Sequence, residues 1–259
     1  MIRLKSPAQI ETIAAAGTIV AEVLEMAAAQ AVPGRSTGEL NEMAEAMIRG
    51  HPGATPAFKG LYGFPATLCT SINDEVVHGI PSFRRRLEPG DIVSVDVGVK
   101  HNGLYADAAV TISIGEVAPG TARLIDVTQA ALEVGVEAAQ PGSQLGDLGW
   151  AIQTHVEAAG FSVIRELVGH GVGEEPHEEP QVPNYGVRDS GFRMRPGLVI
   201  AIEPMVNEGR PGIRTLDDEW TVVTADGRLS AHFEHTVAVT ADGPRVLTRV
   251  ATPAAAGEI

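Results

Sequence analysis

Two aspartates lie within segments that otherwise look like buried strands. The stretch SVDVGVKHNGLYADAAV, residues 94–110, places two apolar runs around the turn Asn102-Gly103, and each run carries one carboxylate, Asp96 or Asp107. Asn-Gly is the strongest short signal for a two-residue hairpin turn, so the two runs are predicted to pair directly across it. In that register the carboxylates are diagonal neighbours on one face of the hairpin, about 7–8 Å apart.

Two ionised carboxylates this close in apolar surroundings repel each other strongly. Either one carboxylate takes up a proton, or cations lie between the two. The alternative is that Asp96 and Asp107 cap a turn or face water, and the hairpin alone does not decide between these explanations. The alternating apolar neighbours on both runs argue against a solvated face.

Three further potential metal ligands interrupt apolar or glycine-rich segments elsewhere in the chain. Glu203 lies in LVIAIEP, Glu234 in HFEHTVAV and His170 in VGHGVG. Together with the hairpin they offer four carboxylates and one imidazole. This set suits two divalent ions bridged by shared carboxylates better than a single zinc ion, and it is compatible with cobalt, manganese, iron, zinc or nickel.

The remaining histidines differ in what their surroundings suggest. His78 in VVHGIPS and His177 in PHEEPQ are candidates for proton transfer or substrate binding outside the metal ligands. His232 shares the face of Glu234 and is expected to approach the site. His235 alternates away from that face, so we interpret it as structural.

Hydrophobic periodicity predicts helices followed by strands, in the same order twice. The predicted helices span 6–30, 36–50, 121–139 and 145–159, and the predicted strands span 67–72, 75–78, 161–164, 198–206, 218–223 and 230–240, with the hairpin at 92–114. The fold class is therefore α+β, a duplicated unit whose seam lies at Pro119-Gly120. We expect residues 1–250 to form a single domain of two similar halves, and residues 251–259 to form a flexible tail.

Composition limits the classes of function. The chain has 259 residues, 44% of them hydrophobic, and a formal net charge of −14, so we expect no nucleic-acid target. The run Arg84-Arg85-Arg86 is a local exception that we interpret as a solvated loop. Cys69 is the only cysteine, which excludes an internal disulfide and a cysteine zinc cluster. Because the sequence has no secretory signal and no long uninterrupted apolar run, we expect a cytoplasmic protein without a membrane segment.

The motifs around these residues resemble those of the bacterial type I methionine aminopeptidases, over nearly the whole chain. The matching segments are CTSINDEVVHGIPS, DIVSVDVGV, the His-Asn-Gly hairpin, GHGVG with HEEPQVPNY, AIEPMV and FEHTVAV. The resemblance implies a pseudo-twofold "pita-bread" fold, an antiparallel sheet covered by helices. It also implies removal of the N-terminal methionine from nascent proteins and peptides, preferably when the next residue is small.

Carried over by position, the resemblance implies a ligand set for two divalent metal ions. The implied ligands are Asp96, Asp107, His170, Glu203 and Glu234, with Asp107 and Glu234 bridging the two ions. A bridging water or hydroxide would be the nucleophile, with Glu203 as its general base. One ion would also hold the free α-amine of the substrate, which would restrict cleavage to the N-terminal residue.

The resemblance also implies two substrate-binding histidines and an apolar pocket. His78 would contact the scissile amide nitrogen, and His177 would bind the substrate carbonyl and stabilise the oxyanion. Phe64, Cys69 and Trp220 match the methionine pocket of the family, where a thiol and two rings suit an unbranched thioether. The alternative for Cys69 is a buried small hydrophobe, which is the commoner role of a free cysteine.

Several positions depart from the family pattern and bear on selectivity more than on catalysis; they are Leu61, Tyr62, Ala108, Pro176 and His232. An X-Pro aminopeptidase or prolidase would share the ligand pattern, but such enzymes usually carry an additional N-terminal domain. A non-catalytic peptide-binding module would be expected to have lost ligands. We expect a monomer that binds peptide N-termini, with the Arg84-Arg86 run as a candidate contact to the ribosome.

Overall fold

The computed structural model describes residues 2–249. Within them lie the helices α1 (Pro7–Gln30), α2 (Thr37–Gly50), α3 (Pro119–Ala138) and α4 (Leu145–Ala158), and a short 3-10 helix at Leu61–Gly63. The strands are β1 (Ala54–Pro56), β2 (Leu68–Ile72), β3 (Glu75–Val77), β4 (Ile92–His101), β5 (Leu104–Ser113), β6 (Ser162–Val163), β7 (Gly169–Gly171), β8 (Glu178–Val182), β9 (Val199–Ile202), β10 (Met205–Asn207), β11 (Ile213–Thr215), β12 (Val222–Thr224), β13 (Ser230–His232), β14 (Glu234–Thr240) and β15 (Gly243–Val246). The predicted tail at 251–259 lies outside the described residues.

The first two helices begin where polar side chains cap them. The Ser6 side chain accepts the backbone N–H of Gln9, and the Gln9 side chain accepts the N–H of Ser6, ahead of Pro7 in the first turn. Ser36 and Glu39 form the same capping box at the start of α2. Each box satisfies N–H groups that the first turn leaves without helical partners, so both helix starts follow from local sequence.

The carboxylate hairpin has the predicted register. β4 and β5 pair antiparallel, with Asp96 opposite Ala109 and Asp107 opposite Gly98. The hairpin lies in a nine-stranded sheet of order β1-β4-β5-β14-β9-β7-β8, in which β2 also pairs with β4 and β15 with β14. Two three-stranded sheets, β13-β10-β6 and β11-β12-β3, complete the strand pairing of the described residues.

The helices cover the large sheet in two pairs, each with its own apolar core. α1 and α2 share a core cluster with the valines of β4 at positions 93, 95, 97 and 99. α3 and α4 share a second cluster with Ile200 and Ile202 of β9. Because side chains alternate along a strand, the β4 valines face the helices and Asp96 faces the opposite side. The predicted α+β class, an antiparallel sheet covered by helices, is confirmed.

Helix α1 is long and apolar enough, by length and composition alone, to cross a membrane. Its side chains at Ile13, Val20 and Val23 are fully buried, and the helix packs on the β4–β5 hairpin. Apolar residues in a helix that covers a sheet are explained by that burial. In this structure α1 is a core helix.

Two predicted strands are interrupted beside the acids. The run 198–206 divides into β9 and β10 at Glu203 and Pro204, because proline has no N–H to donate to a strand partner. The last long predicted strand divides into β13 and β14 at Phe233, whose N–H donates to the carbonyl of Pro204. The prediction of continuous strands was therefore wrong at these two points, and Glu203 and Glu234 lie beside the breaks.

Other element boundaries also shift from the predicted ones. The strand predicted at 218–223 is reduced to β12, because the Asp218 side chain turns the chain by accepting the N–H groups of Trp220 and Thr221. α3 begins two residues earlier than predicted, at Pro119, since proline is favourable in a first helical turn. β1, β7, β8, β11 and β15 were not predicted, because such short segments carry little periodicity. The division into one domain of two halves stays a prediction.

Candidate active site

One pocket of about 290 Å³ contains all the candidate site residues that were predicted from the sequence. Its lining includes all ten of them: Asp96, Asp107, His170, Glu203, Glu234, His78, His177, Phe64, Cys69 and Trp220. The carboxylates and histidines form a polar end, and the aromatic rings with the thiol form an apolar end. The fold thus brings together side chains that lie far apart along the chain.

Asp107 is fixed in β5 by Thr236 of the neighbouring strand β14. Thr236 Oγ1 lies 3.0 Å from Asp107 Oδ1 and accepts the Asp107 N–H at 3.1 Å. The residue is only 3% exposed. Burial raises the pKa of Asp107 to about 6, against the opposing effects of His177 and the Thr236 hydrogen bond. The carboxylate is therefore held in place but costly to ionise without a nearby positive charge.

Asp96 presents an oxygen that lacks a partner. Its Oδ1 is buried and, among residues 2–249, accepts no hydrogen bond. Burial, followed by the negative charge of Asp107, raises the pKa of Asp96 well above its usual range. A buried carboxylate oxygen without a donor carries a large desolvation penalty. This oxygen therefore indicates a bound group that the protein itself does not supply.

His170 points one ring nitrogen between two carboxylates. Its Nε2 lies 3.6 Å from Asp107 Oδ2 and 3.5 Å from Glu203 Oε1, while Nδ1 lies 3.0 Å from the carbonyl oxygen of Gly171. A carbonyl only accepts, so Nδ1 carries the proton and the lone pair of Nε2 faces the acids. Burial lowers the pKa of His170 to about 4, which keeps the ring neutral at neutral pH.

Glu203 and Glu234 complete the polar end. Glu203 directly follows β9, and its backbone carbonyl accepts a hydrogen bond of 2.9 Å from Asn184 Nδ2. Glu234 opens β14 and is 3% exposed. One ligand atom from each of Asp107, His170 and Glu234 lies within 4.8 Å of the other two. This spacing allows a single cation to contact all three.

The electrostatics of the polar end favour bound cations. Burial, followed by Asp96 and Asp107, raises the pKa of Glu203 well above its usual range. Burial, followed by the negative charges of Asp107 and Glu203, also raises the pKa of Glu234 well above its usual range. Four carboxylates, two of them buried and two partly buried, surround a neutral imidazole and form a donor set of the kind that divalent metal ions bind in proteins. The residues present therefore fit a divalent metal centre.

His78 and His177 face this centre from loops at strand ends. His78 follows β3 and has a φ of 60°, a left-handed conformation that is uncommon for residues other than glycine. The His177 ring meets the His170 ring edge to face, with 4.4 Å between centroids, and stacks on Tyr62 at 6.2 Å. Burial and then His177 lower the pKa of His78. Both rings therefore border the space beside the carboxylates.

His232 also reaches the polar end, as its alternation with Glu234 predicted. It is 1% exposed, and its Nε2 lies 3.7 Å from Glu203 Oε2 without a hydrogen-bond partner among the described residues. Thr111 Oγ1 accepts the His232 N–H at 2.9 Å and fixes the backbone. Burial lowers the pKa of His232 to about 3, so a neutral imidazole lies behind Glu203.

The apolar end is built around two packed aromatic rings. Phe64 and Trp220 meet edge to face, with 5.1 Å between centroids and 70° between ring planes. Cys69 is buried beside them and pairs with Asp96 across β2 and β4. Burial raises the pKa of the Cys69 thiol well above its usual value, so it stays protonated and soft. An apolar slot thus directly adjoins the carboxylates.

Some lining residues were missed from the sequence, namely Phe58, Val77, Leu167, Val168 and Met205. Of these, only Met205 could have been found from the sequence, because it directly follows the acid-bearing motif AIEP at a strand break. The others are ordinary apolar residues whose role depends on the tertiary fold. Thr236 was also missed, although its place two residues after Glu234 put it on the same face of the strand.

The positions that depart from the family pattern lie at different distances from the chemistry. Leu61 and Tyr62 line the pocket, and Tyr62 is 77% exposed. Ala108 is buried in the core cluster of α1 and α2, on the face of β5 away from the carboxylates. Pro176 is buried next to His177. Leu61 and Tyr62 are therefore the departures that can alter substrate contacts directly.

Comparison with known proteins assigns the chain to a family. Residues 11–241 match Metallopeptidase family M24. The methionine aminopeptidase of Clostridium perfringens is 48% identical over 250 residues, which cover 96% of this chain and 100% of that protein. The crystal structure of methionine aminopeptidase from Thermotoga maritima has a TM-score of 0.94 and 44% sequence identity, covering 96% of this chain and 100% of that chain.

A related fold is found in enzymes of the alternative kind. The prolidase from Pyrococcus horikoshii has a TM-score of 0.78, but it is 23% identical and the match covers 64% of it. This likeness shows the fold alone. The predicted pita-bread fold and the predicted family are confirmed, and methionine aminopeptidase is favoured over the prolidase alternative. The chain belongs to metallopeptidase family M24, among relatives that are methionine aminopeptidases.

Proposed function

We propose that this protein removes the N-terminal methionine from peptides and nascent proteins, preferably when the second residue is small. One observation carries the proposal: a buried set of carboxylates and an imidazole opens directly onto an apolar slot. The polar end suits a peptide α-amine and amide, and the apolar end suits a methionine side chain. The names of the relatives point to the same activity.

The metal centre in this proposal holds two divalent ions. The residues that would hold them are Asp96, Asp107, His170, Glu203 and Glu234. When bound, such ions supply Lewis acidity toward the substrate amine and toward water, and positive charge that keeps the buried carboxylates ionised. Cobalt, manganese, iron, zinc and nickel all accept these donors.

Proton transfer falls to Glu203 in this scheme. Its side chain is 13% exposed at the polar end, and the carboxylate lies 3.5 Å from His170 Nε2 and 3.7 Å from His232 Nε2. A carboxylate so placed takes a proton from the attacking water at one oxygen and later passes it to the leaving amine. The backbone hydrogen bond from Asn184 keeps Glu203 in position during both transfers.

The two loop histidines would orient the peptide. His177 donates an N–H to the oxygen of the scissile carbonyl, where negative charge develops as the carbon becomes tetrahedral. His78 hydrogen-bonds the nitrogen of the same amide. Because both rings border the pocket that holds the carboxylates, a peptide bond between them is presented to the attacking water.

Methionine selectivity is assigned to the apolar end. Phe64, Cys69 and Trp220 offer two ring surfaces and a protonated thiol, which suit a flexible thioether. The preference for a small second residue is expected from the exposed ring of Tyr62 at the pocket mouth, beside His177. A larger second side chain would meet that ring.

We further propose that the protein is a cytoplasmic monomer that acts on nascent chains. Contact with the ribosome through the Arg84-Arg86 run would depend mainly on Arg84. The reason is that Arg85 is paired with Glu75 at 2.6 Å, and Arg86 donates to the Gly34 carbonyl at 2.8 Å. The net charge of −14 makes any such contact a local one.

The proposed function is tested with three tripeptides, Met-Ala-Ser, Met-Leu-Ser and Ala-Pro-Ala. Metal-stripped protein is assayed for release of the first residue, with and without added Mn²⁺ or Co²⁺. We expect metal-dependent release of methionine, faster from Met-Ala-Ser than from Met-Leu-Ser, and no cleavage of Ala-Pro-Ala. Cleavage of Ala-Pro-Ala alone would identify an X-Pro peptidase instead. Tight metal binding without any cleavage would favour a peptide-binding module.

A further inference from the structure

The loop that carries His177 is short and lies at the protein surface. It connects β7 to β8, and Glu174 and Glu175 within it are exposed. A histidine that must meet a substrate carbonyl has to be held to within a fraction of an ångström. The loop therefore needs an anchor beyond its two flanking strands.

Glu178, the residue after His177, provides that anchor. Its Oε1 accepts the backbone N–H groups of Glu174 at 2.7 Å and of Glu175 at 3.1 Å. The side chain thus closes the loop on itself, with His177 between the acceptor and the two donors. The position of the Glu178 carboxylate consequently sets the position of the loop backbone.

Lys5, near the start of the chain, fixes the other oxygen of Glu178. Lys5 Nζ lies 2.6 Å from Glu178 Oε2, and the two side chains are only 2% and 7% exposed. Lys5 Nζ also donates to the carbonyl of Arg3 at 3.1 Å, and the Lys5 N–H donates to the carbonyl of Gly197 at 2.6 Å. Both ends of Lys5 are therefore tied, and its ammonium is held against Glu178.

Gly173 explains how a lysine side chain reaches this buried position. A Cβ atom at residue 173 would lie 1.9 Å from Lys5 Cε and 2.6 Å from Lys5 Nζ. The φ of Gly173 is not in the left-handed region, so the glycine is required for space and not for backbone conformation. The last glycine of the segment GHGVG thus forms a cradle for Lys5.

A buried ion pair is a costly means of stabilising a fold, since an apolar pair of similar size often does as well. What such a pair does supply is a fixed geometry for the groups bonded to it. We propose that Lys5 is a positioning residue for His177, acting through Glu178 on the loop backbone at Glu174 and Glu175. The inference rests on the proposed role of His177 in the reaction.

The test is a double-mutant cycle between Lys5 and His177, with kcat for Met-Ala-Ser and Mn²⁺ affinity as readouts. Lys5→Met removes the ammonium and keeps the length of the side chain. We expect kcat to fall about 10- to 100-fold, as a displacement of about 1 Å would cause, with Mn²⁺ affinity unchanged. In the His177→Ala background the same substitution should cause no further loss, because the group it positions is already absent.

Three results would overturn the proposal. They are an equal loss of kcat in both backgrounds, unchanged kcat in Lys5→Met, and unchanged kcat in His177→Ala itself. Arg245→Met serves as the matched control, because it breaks an exposed ion pair with Glu11, near the start of α1, that does not involve Glu178.

A second variant covers the case in which Lys5→Met does not fold. The pair Lys5→Met with Glu178→Met replaces the buried ions by an apolar pair, which should restore folding but leave the loop N–H groups without their acceptor. We expect this protein to fold with wild-type Mn²⁺ affinity and to keep the low kcat. Recovery of kcat together with folding would show that the ion pair is only structural.

Amide hydrogen exchange separates this inference from the proposed function. In Lys5→Met the amides of Glu174 and Glu175 should exchange faster than in the wild type, since their acceptor is no longer fixed. If the wild type releases no methionine, the proposed function fails, and unchanged exchange would then remove the positioning role as well. If the wild type is active but the cycle is additive, only the role of Lys5 fails.

Discussion

The carboxylates and the two loop histidines of this site are held by different kinds of structure. Asp96 and Asp107 lie inside long strands whose backbone pairing continues on both sides of each residue. His78 and His177 lie at strand ends, where local interactions position them. His78 has a left-handed backbone conformation, and the Glu178 carboxylate binds the loop backbone beside His177. Ligands are preorganised by the sheet, and substrate-facing groups are positioned by contacts that single substitutions can remove.

The largest effect is expected at the strand-borne ligands. Asp107→Asn keeps the shape and the Thr236 contact but removes a negative charge that faces His170. We expect Mn²⁺ affinity to fall by more than about 100-fold, with a comparable or larger loss of turnover. Calorimetric titration with Mn²⁺ and the methionine-release assay measure both quantities.

Asp126→Asn is the control for this substitution, because Asp126 is an exposed carboxylate on α3. It should bind Mn²⁺ and turn over as the wild type does. Wild-type metal content and activity in Asp107→Asn would remove Asp107 from the ligand set and weaken the distinction between the two regions.

A loop histidine should affect turnover without affecting the metal. In His177→Ala the substrate carbonyl loses its donor, so kcat should fall about 100- to 1,000-fold, while Mn²⁺ affinity stays at the wild-type value. His155→Ala, on α4, is the matched control. Loss of bound metal in His177→Ala would make that residue a ligand and would contradict the division of roles.

The metal-free protein should show the cost of the buried carboxylates as a pH dependence of stability. The pKa of Asp107 in the folded state, about 6, lies above the usual aspartate value of 3.8 because the carboxyl is buried. The folded state therefore holds the proton more tightly, and stability is lost as the pH rises from about 4 through 6. For one group the loss is on the order of 3 kcal/mol.

Urea denaturation of metal-stripped protein at pH 4.5 and pH 7 checks this expectation. The difference in unfolding free energy between pH 4.5 and pH 7 should shrink in Asp107→Asn, which lacks the titrating carboxyl. It should also shrink when Mn²⁺ is present at pH 7. An identical pH dependence in the wild type and in Asp107→Asn would show that Asp107 is not the group responsible.

The smallest effect is expected at the apolar end of the pocket. Phe64→Leu keeps an apolar side chain but loses the edge-to-face contact with Trp220, which contributes about 1 kcal/mol. KM for Met-Ala-Ser should rise about 5- to 10-fold, with kcat and Mn²⁺ affinity little changed. A fall in kcat without a change in KM would place Phe64 nearer to the reacting atoms than we propose.

The parts of the molecule that follow from local patterns could be predicted from the sequence. The helix starts at Ser6 and Ser36 follow from capping residues, and the register of Asp96 and Asp107 follows from one Asn-Gly turn. The turn therefore determines the face of the hairpin on which each carboxylate lies, since side chains alternate strictly along a strand.

Features that depend on long-range packing could not be predicted in the same way. Lys5 and Glu178 are 173 positions apart, and neither residue type signals a buried pair. Phe58 and Leu167 enter the pocket as ordinary apolar residues. The convergence of Glu203 and Glu234 with the hairpin was inferred from family resemblance. Sequence spacing does not encode the pairing of β14 with β5 or of β9 with β14.

The central claim is that bound cations neutralise the buried carboxylates of the hairpin. It is tested most directly by anomalous X-ray diffraction from crystals of the protein grown with Mn²⁺. We expect two anomalous peaks at the polar end, each about 2.0–2.3 Å from oxygens or nitrogens of Asp96, Asp107, His170, Glu203 and Glu234. Full Mn²⁺ saturation with no peak at these residues, or with peaks only elsewhere, would contradict the claim.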